Sequence, residues 1–287
     1  MIQKTAQKLC QTYSGVKVLR FLKLKRSTYF ARLKQVKSAR MLENEHFSKQ
    51  IQTIYTESKG RYGAPKIHQK LLQDGKKLSL KRVQKLMLKA GLRAITVRKW
   101  RAKRIEQNKH TRYPNLLAQD FSAEVLNQKW STDITYIHTK AHGWCYLSSI
   151  MDLCSRKIIA WKFSKQMTFD LVQDTLEQVK SRVRSGLILQ TDRGSQYTSM
   201  AYEQQLKTLG IRHSYSQKGY PYDNSCIESF HASLKKEEIY QQASYATFEV
   251  AKLALFEYIE GWYNRKRIHS KIGYKTPQEF ESILTAL

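Results

Sequence analysis

Asp133, Asp192 and Glu228 are the residues whose type and setting can do chemistry. Each stands within a short run that looks built around it: Trp130-Ser-Thr-Asp133-Ile-Thr-Tyr136, Thr191-Asp192-Arg-Gly-Ser-Gln-Tyr197 and Asp223-Asn-Ser-Cys-Ile-Glu228-Ser-Phe230. Between Asp192 and Glu228 lie 35 residues. Carboxylates gathered from separate segments form an oxygen-only ligand set, which suits Mg²⁺ or Mn²⁺ better than softer metals. Two such ions, about 3.5–4 Å apart, activate one oxygen and stabilise another during in-line displacement at phosphorus. The expectation is a phosphodiester-processing site with Asp133 bridging two ions, Asp192 completing one and Glu228 the other.

The charge distribution points to the same substrate. The chain has 287 residues and a net charge of +28. Residues 1–112 hold 30 Lys+Arg against 5 Asp+Glu, whereas residues 113–287 hold 21 against 18. A basic excess confined to one part of a chain marks a polyanion-binding region, here expected to take double-stranded DNA. No apolar run reaches the roughly 18 residues of a membrane span, and no export segment is legible, so a cytoplasmic protein is expected. Cys10, Cys145, Cys154 and Cys226 form no CxxC pair. His138 and His142 flank a hairpin turn rather than converging with Cys145 and Cys154 on a zinc ion.

The length suggests about two domains. In the basic part, apolar residues at helical spacing predict a helix from Met41 to Thr56 bearing Leu42, Phe47, Ile51 and Ile54. Gly60-Arg-Tyr-Gly63 interrupts it, and Ala64-Pro65 starts a second helix with Ile67, Leu71 and Leu72 on one stripe. Ser79 caps a third, with Leu80, Val83, Leu86/Met87 and Ala90 inward and Gly91 at its end. Its other face carries Lys81, Arg82, Lys85 and Lys89, which fits a helix-turn-helix domain over 41–92 laying that helix in the major groove. A plain basic three-helix bundle has the same periodicity. Residues 1–40 form a basic helical segment, with Ser27 expected to cap a helix over Thr28–Lys37. Residues 93–127 read as a basic linker in which Arg98, Lys99, Arg101, Lys103 and Arg104 could track a phosphate backbone, or as a solvated tether.

From residue 128 the pattern becomes mixed α/β. Alternation predicts strands over Lys129–His138, Trp144–Asp152 and Arg156–Phe163, then a helix over Thr168–Arg184. A short apolar strand, Leu187–Thr191, delivers Asp192. A helix near Ser199–Leu209 and a strand near Ile211–Ser214 follow. This is the ribonuclease H-like order: a mixed five-stranded sheet with helices, expected over 128–240, in which the first strand and the end of the fourth lie side by side. A helix from Asn224, capped by Asp223 and Asn224, carries Glu228, and two turns later Lys235, where it could hold a phosphate. Asp152 reads as a turn residue. Tyr220-Pro221-Tyr222 reads either as a loop whose aromatics stack on an unpaired base or as core packing. Residues 241–287 comprise an amphipathic helix, Thr247–Tyr263, and a basic tail around Arg265-Lys-Arg267 and His269, with DNA contact and a structural role both open.

At these residues the chain resembles the insertion-sequence transposases with a D,D(35)E core, in particular their second-reading-frame products, and the core resembles retroviral integrases. The likeness runs from about Glu43 to Glu281. Besides the three carboxylate runs it includes Arg61-Tyr-Gly63, Leu234-Lys-Lys-Glu237, Tyr263-Asn264, Arg267, His269, Gly273-Tyr274 and Thr276-Pro277. It departs at Gln190-Thr191, Cys226 and His231, where the family usually has His-Ser, Ala and Phe. The resemblance implies a bacterial, nucleoid-associated enzyme of DNA integration and recombination. Such an enzyme hydrolyses a strand at element ends and transfers the 3′-OH to another strand. It further implies two Mg²⁺ ions or Mn²⁺ in their place, a dimer or larger homo-oligomer on DNA, and the first-reading-frame product as an optional partner. Two alternatives remain at this point: a nuclease of the same fold that cuts without joining, and a non-catalytic DNA-binding regulator.

Overall fold

A computed structural model describes residues 2–33, 37–96, 113–217 and 220–286. Three short helices come first, α1 (Ile2–Thr12), α2 (Gly15–Phe21) and α3 (Arg26–Leu33), around Ala6, Leu19 and Tyr29. Ser27 does not cap α3. The Tyr29 N–H already donates to the Lys25 carbonyl, so the helix begins two residues earlier, at Arg26, and Ser27 sits in its first turn.

The next unit is α4 (Ala39–Glu57), α5 (Ala64–Gln73) and α6 (Leu80–Lys89). Its core takes Phe47, Ile51 and Ile54 from α4, Ile67 and Leu71 from α5, and Val83, Leu86 and Met87 from α6. Leu42, Leu72 and Leu80 stay exposed, so each apolar stripe is narrower than the sequence suggests. Ser38 and Ser79 cap α4 and α6 by accepting from the Met41 and Arg82 N–H groups, each at 3.3 Å. Gly91, at φ +70°, closes α6 in the left-handed conformation that lets the Leu92 N–H reach the Met87 carbonyl.

Arg98, Lys99, Arg101, Lys103 and Arg104 lie outside the described residues. From Tyr113 the chain already packs on the core. Tyr215 N–H donates to the Pro114 carbonyl at 2.9 Å, the Ser214 hydroxyl accepts from Leu116 N–H at 2.8 Å, and Leu117 is buried. This stretch therefore lies along the sheet edge, although its polar composition suggests a tether.

The sheet comprises β1 (Lys129–Thr139), β2 (Gly143–Asp152), β3 (Ile158–Ser164), β4 (Ile188–Thr191) and β5 (Arg212–Tyr215), in the order β3-β2-β1-β4-β5. The first three are antiparallel neighbours, and β1-β4 and β4-β5 are parallel. The parallel pairs need crossovers, supplied by α7 (Phe169–Glu177) and α8 (Met200–Thr208). Trp130 and Ile150 pack with residues of α7 and α8 on one face. Ile137 and Leu147 pack on the other with α9 (Ser225–Glu237) and α10 (Phe248–Phe256). The last helix, α11 (Pro277–Ala286), was not legible from periodicity; Glu281 ties it to Lys157 and to Arg182, the latter at 2.8 Å.

A buried polar joint connects the α4–α6 unit to the core. Arg61 donates to the Glu237 carbonyl and to Glu238 Oε2, 2.6 Å away, and its guanidinium lies 4.9 Å from the Trp262 ring. Tyr62 Oη donates to the Lys266 carbonyl and accepts from Ile268 N–H, both at 2.9 Å. The helix after α10 winds in π fashion over Glu257–Tyr263, and from this segment Tyr258 and Trp262 donate to the Glu237 carboxylate. Arg267 completes the network by pairing with Glu237 at 2.9 Å. Of the basic tail, Arg265 and Lys266 are exposed, whereas Arg267 is held within this packing.

Candidate active site

The positions of the first two carboxylates follow from strand register. Ser131 of β1 pairs with Gln190 of β4, and two residues beyond that pair each parallel strand presents an aspartate. Asp133 and Asp192 are therefore at one level on neighbouring strands. Gly194 N–H donates to Asp192 Oδ1 at 2.9 Å, and a Cβ at Gly194 would come within 3.1 Å of that oxygen, which explains the glycine. Helix α9 packs across the same face and contributes Glu228.

Asp223 and Asn224 do not cap α9 with their side chains. A 3-10 turn over Pro221–Asn224 leads into the helix, and both side chains reach across to other segments instead. Asn224 accepts from the Ser131 hydroxyl and donates to the Thr132 carbonyl at 3.0 Å. Asp223 accepts from Asn115, Gln119 and the Gln217 N–H. Both groups are buried and must be satisfied, so they pin the start of α9 to β1 and to the strand-edge segment.

Asp133, Asp192 and Glu228 line one cavity of about 300 Å³ with Ser216, Gln217, Tyr220 and Asn224. Burial, then repulsion from Asp133 and Asp192, pushes the Glu228 carboxyl up to about 7. Asp192 is also raised, first by burial and then by Asp133, against the opposing Gly194 hydrogen bond. Among the described residues no three His, Cys, Asp or Glu side chains close into a ready-made metal cage. The donor chemistry nevertheless fits a hard cation: the three are oxygen ligands, and burial with crowded negative charge raises two of them above the usual carboxylate range. The cavity is open, so a bound ion would require the side chains to converge.

Lys235, two turns beyond Glu228, is half-buried; burial pushes its ammonium down while Asp133 opposes this. It also lines a neighbouring cavity of about 410 Å³ with Tyr136, Trp144 and Tyr240. Tyr220 lines the carboxylate cavity, and Tyr222 is exposed, so neither is a core residue. Asp152 holds its turn, accepting from Asn127 N–H and from Ser155.

His231 is a site residue that sequence reasoning flagged only as a departure. It is buried, with Nε2 at 2.9 Å from the Ser149 hydroxyl and Nδ1 at 3.3 Å from Asp133 Oδ2. Its position three residues after Glu228, on the same helix face, was the available signal. The other departures do not themselves line the carboxylate cavity. Gln190 donates to Ser216, Thr191 meets His213, and Cys226 accepts from Arg156.

On α6, Lys81, Lys85 and Lys89 face solvent. Arg82 does not share their setting. It pairs with Glu43 at 2.7 Å, donates to Asn44 at 2.9 Å and lies 5.0 Å from the Phe47 ring, so it ties α6 to α4.

Comparison with known proteins follows the same division. Residues 42–100 match the HTH-like domain family, and residues 124–221 and 209–277 match integrase core domain families. The chain is 42% identical over 246 residues to the transposase for insertion sequence element IS904 of Lactococcus lactis, covering 85% of this chain and 96% of that protein. It belongs to the insertion-sequence transposases with an integrase core. Transposase InsF for insertion sequence IS3A of Escherichia coli is 40% identical over 248 residues, 85% of each protein. Among solved structures, a simian T-cell lymphotropic virus intasome chain matches at 14% identity and TM-score 0.45, covering 80% of this transposase and 73% of that chain. The catalytic core domain of BIV integrase matches at 23% identity and TM-score 0.41, covering 56% and 97%.

Proposed function

We propose that this DDE-type transposase acts on the ends of its own insertion element through Asp133, Asp192 and Glu228. The observation that carries the site assignment is that carboxylates from β1, the end of β4 and α9 line one cavity in which two of them are driven toward protonation. Divalent ions held there, two Mg²⁺ with Mn²⁺ as the substitute, would supply activation of the attacking oxygen and stabilisation of the leaving one. Asp133, Asp192 and Glu228 would together hold these ions through their carboxylate oxygens.

The chain's own contribution is positioning. The two parallel strands hold their aspartates level, and α9 brings Glu228 against them. His231 fixes one oxygen of Asp133, while Lys235 can neutralise a phosphate beside the site. Tyr220, at the cavity, can stack on an unpaired base. In the first step water displaces the 3′ oxygen at an element end and leaves a free 3′-OH. That hydroxyl then attacks a phosphodiester of another strand, one P–O bond forming as another breaks.

A helix-turn-helix domain over 41–92 would dock duplex DNA through Lys81, Lys85 and Lys89, with Arg98, Lys99, Arg101, Lys103 and Arg104 along the backbone. The catalytic core would occupy 128–240. Joining two ends calls for at least a dimer, with the first-reading-frame product as a further partner, on nucleoid DNA in the bacterial cytoplasm. No described helix is long and apolar enough to cross a membrane.

The test incubates purified chain with a labelled duplex carrying the element's end, under Mg²⁺ and Mn²⁺, beside Asp133→Asn. Cleaved and joined products that vanish in the variant, while DNA binding persists, are expected. Cleavage without joining would leave a nuclease, and binding without either product would overturn the assignment for the unfused chain.

A further inference from the structure

A cavity of about 740 Å³, more than twice the volume of the carboxylate cavity, opens on a different face of α9. Five segments build it, one of them the stretch before β1 with Gln119, Phe121 and Ser122. Helix α5 brings Lys66, the β2–β3 turn brings Arg156, and the segment after Asn264 brings Arg267 and Lys271. Helix α9 contributes Ser225, Ser229 and Ser233, whose four-residue spacing sets three hydroxyls in one row. Among the described residues, no Asp or Glu lines this cavity.

The cations there are poorly neutralised. Among the described residues, Arg267 alone of the four is ion-paired, to Glu237. Arg156 donates to the Phe121 carbonyl at 3.3 Å and to the Cys226 sulfur, neither of them an anion. Its backbone has φ +60°, a left-handed position that favours glycine or asparagine, yet arginine occupies it. Lys66 Nζ lies 5.1 Å from the Tyr62 ring, and among the described residues it pairs with no carboxylate. Burial and then Arg267 lower its ammonium to about 7 against the pull of Glu237. Cations without counter-charge beside a row of hydroxyl donors suit a phosphate, and the volume suits several linked groups better than one free ion.

We propose that this cavity holds the phosphodiester backbone of a DNA strand running between the α4–α6 unit and the catalytic core. The proposal rests on the transposase reading and adds a strand-binding site apart from the three carboxylates. The phosphodiester could come from the element end alone or from DNA of any sequence, and the test separates the two.

The full chain and its Lys66→Gln, Lys271→Gln and double variants are titrated with a labelled end duplex and with an unrelated duplex across a salt series. Each lost phosphate contact should lower the slope of log affinity against log salt by about 0.9. A decrease on the end duplex alone assigns the cavity to the element end; a decrease on both assigns it to DNA of either source. Lys66 adjoins the joint at Tyr62, so thermal unfolding controls for folding, and exposed Lys271 carries the test if Lys66→Gln misfolds. Unchanged slopes on both duplexes, in variants that fold, overturn the proposal. The outcomes also separate it from the catalytic assignment. Normal cleavage with unchanged slopes removes this site alone, whereas reduced slopes in a protein that never cleaves remove the catalytic assignment alone.

Discussion

Glu228 and Glu237 stand nine residues apart on α9 and meet opposite electrostatic environments. Glu228 borders a cavity shared with two further carboxylates, and burial with their repulsion pushes it up to about 7. Glu237 is more deeply buried, and burial alone would raise it, yet it is lowered. Arg267 pairs with it, and Tyr258 and Trp262 donate to it. One helix thus carries one carboxylate whose charge is unsatisfied and another whose charge is fully met. An unsatisfied carboxylate cluster is costly unless a cation arrives, so it marks a ligand site. A satisfied one marks a structural joint.

The sharpest way to break this comparison is to neutralise the unsatisfied carboxylate. Glu228→Gln should reduce cleavage and joining by about 10³-fold or more, as expected when a metal ligand is lost. Its fold should survive, because the substitution removes repulsion; without metal it should be as stable as the parent or more so. Mg²⁺ should raise the melting temperature of the parent and do so less in Glu228→Gln, since a ligand stabilises only the state that binds it. A metal response identical in both proteins would count against Glu228 as a ligand, independently of activity.

The satisfied carboxylate should behave in the reverse way. Arg267→Met leaves Glu237 buried without its cation, which should cost about 3–4 kcal/mol of stability in denaturant unfolding. Adding Glu237→Gln should recover part of the loss, because no buried charge then remains. A double variant as unstable as the single one would show that Arg267 acts through packing instead.

The two sides also differed in how much the sequence revealed. Asp133 and Asp192 were legible because strand alternation and a short apolar run put each carboxylate at a definite place in a known strand order. The satisfied side depends on partners remote in the chain: Arg61 reaches the Glu237 carbonyl across 176 positions. No local period encodes that pairing, so Arg61, Tyr62 and Arg267 could be quoted as motif residues without a role. Segment 113–127 was misjudged for a similar reason, since its polar side chains satisfy the sheet edge and Asp223 rather than water. Arg82 was placed by helical phase alone, which cannot register that Glu43 and Asn44 on α4 would claim it.

His269 offers a smaller test on the satisfied side. Burial, then Arg267, Lys66 and Arg156, lower its imidazole to about 2, and Arg267 donates to its Nε2, so the ring is neutral in the fold. The unfolded chain gains a proton near the ordinary histidine value of about 6.5, and the folded chain does not until far lower pH. This group therefore contributes a loss of stability as pH falls below about 6.5. The slope is up to about 1 kcal/mol per pH unit, because the ring also borders a cavity. Urea unfolding at pH 7 and pH 5.5 should show a smaller decline for His269→Gln. Equal declines would mean that the imidazole titrates in the folded protein.

The smallest effects are expected on α6, where the same contrast between free and engaged charge appears among its basic residues. Lys81 and Lys85 are exposed, while Arg82 is held by Glu43, Asn44 and the Phe47 ring. If α6 lies against DNA, Lys81→Gln or Lys85→Gln should each lower the salt slope of binding by about 0.9. Arg82→Gln should instead leave the slope intact and cost about 1 kcal/mol of stability, the value of a partly exposed ion pair plus its ring contact. A slope that falls in Arg82→Gln at unchanged stability would mean that Arg82 exchanges Glu43 for a phosphate when DNA binds. The engaged and free charges of α6 would then be two states of one surface, and the division drawn on α9 would not extend to it.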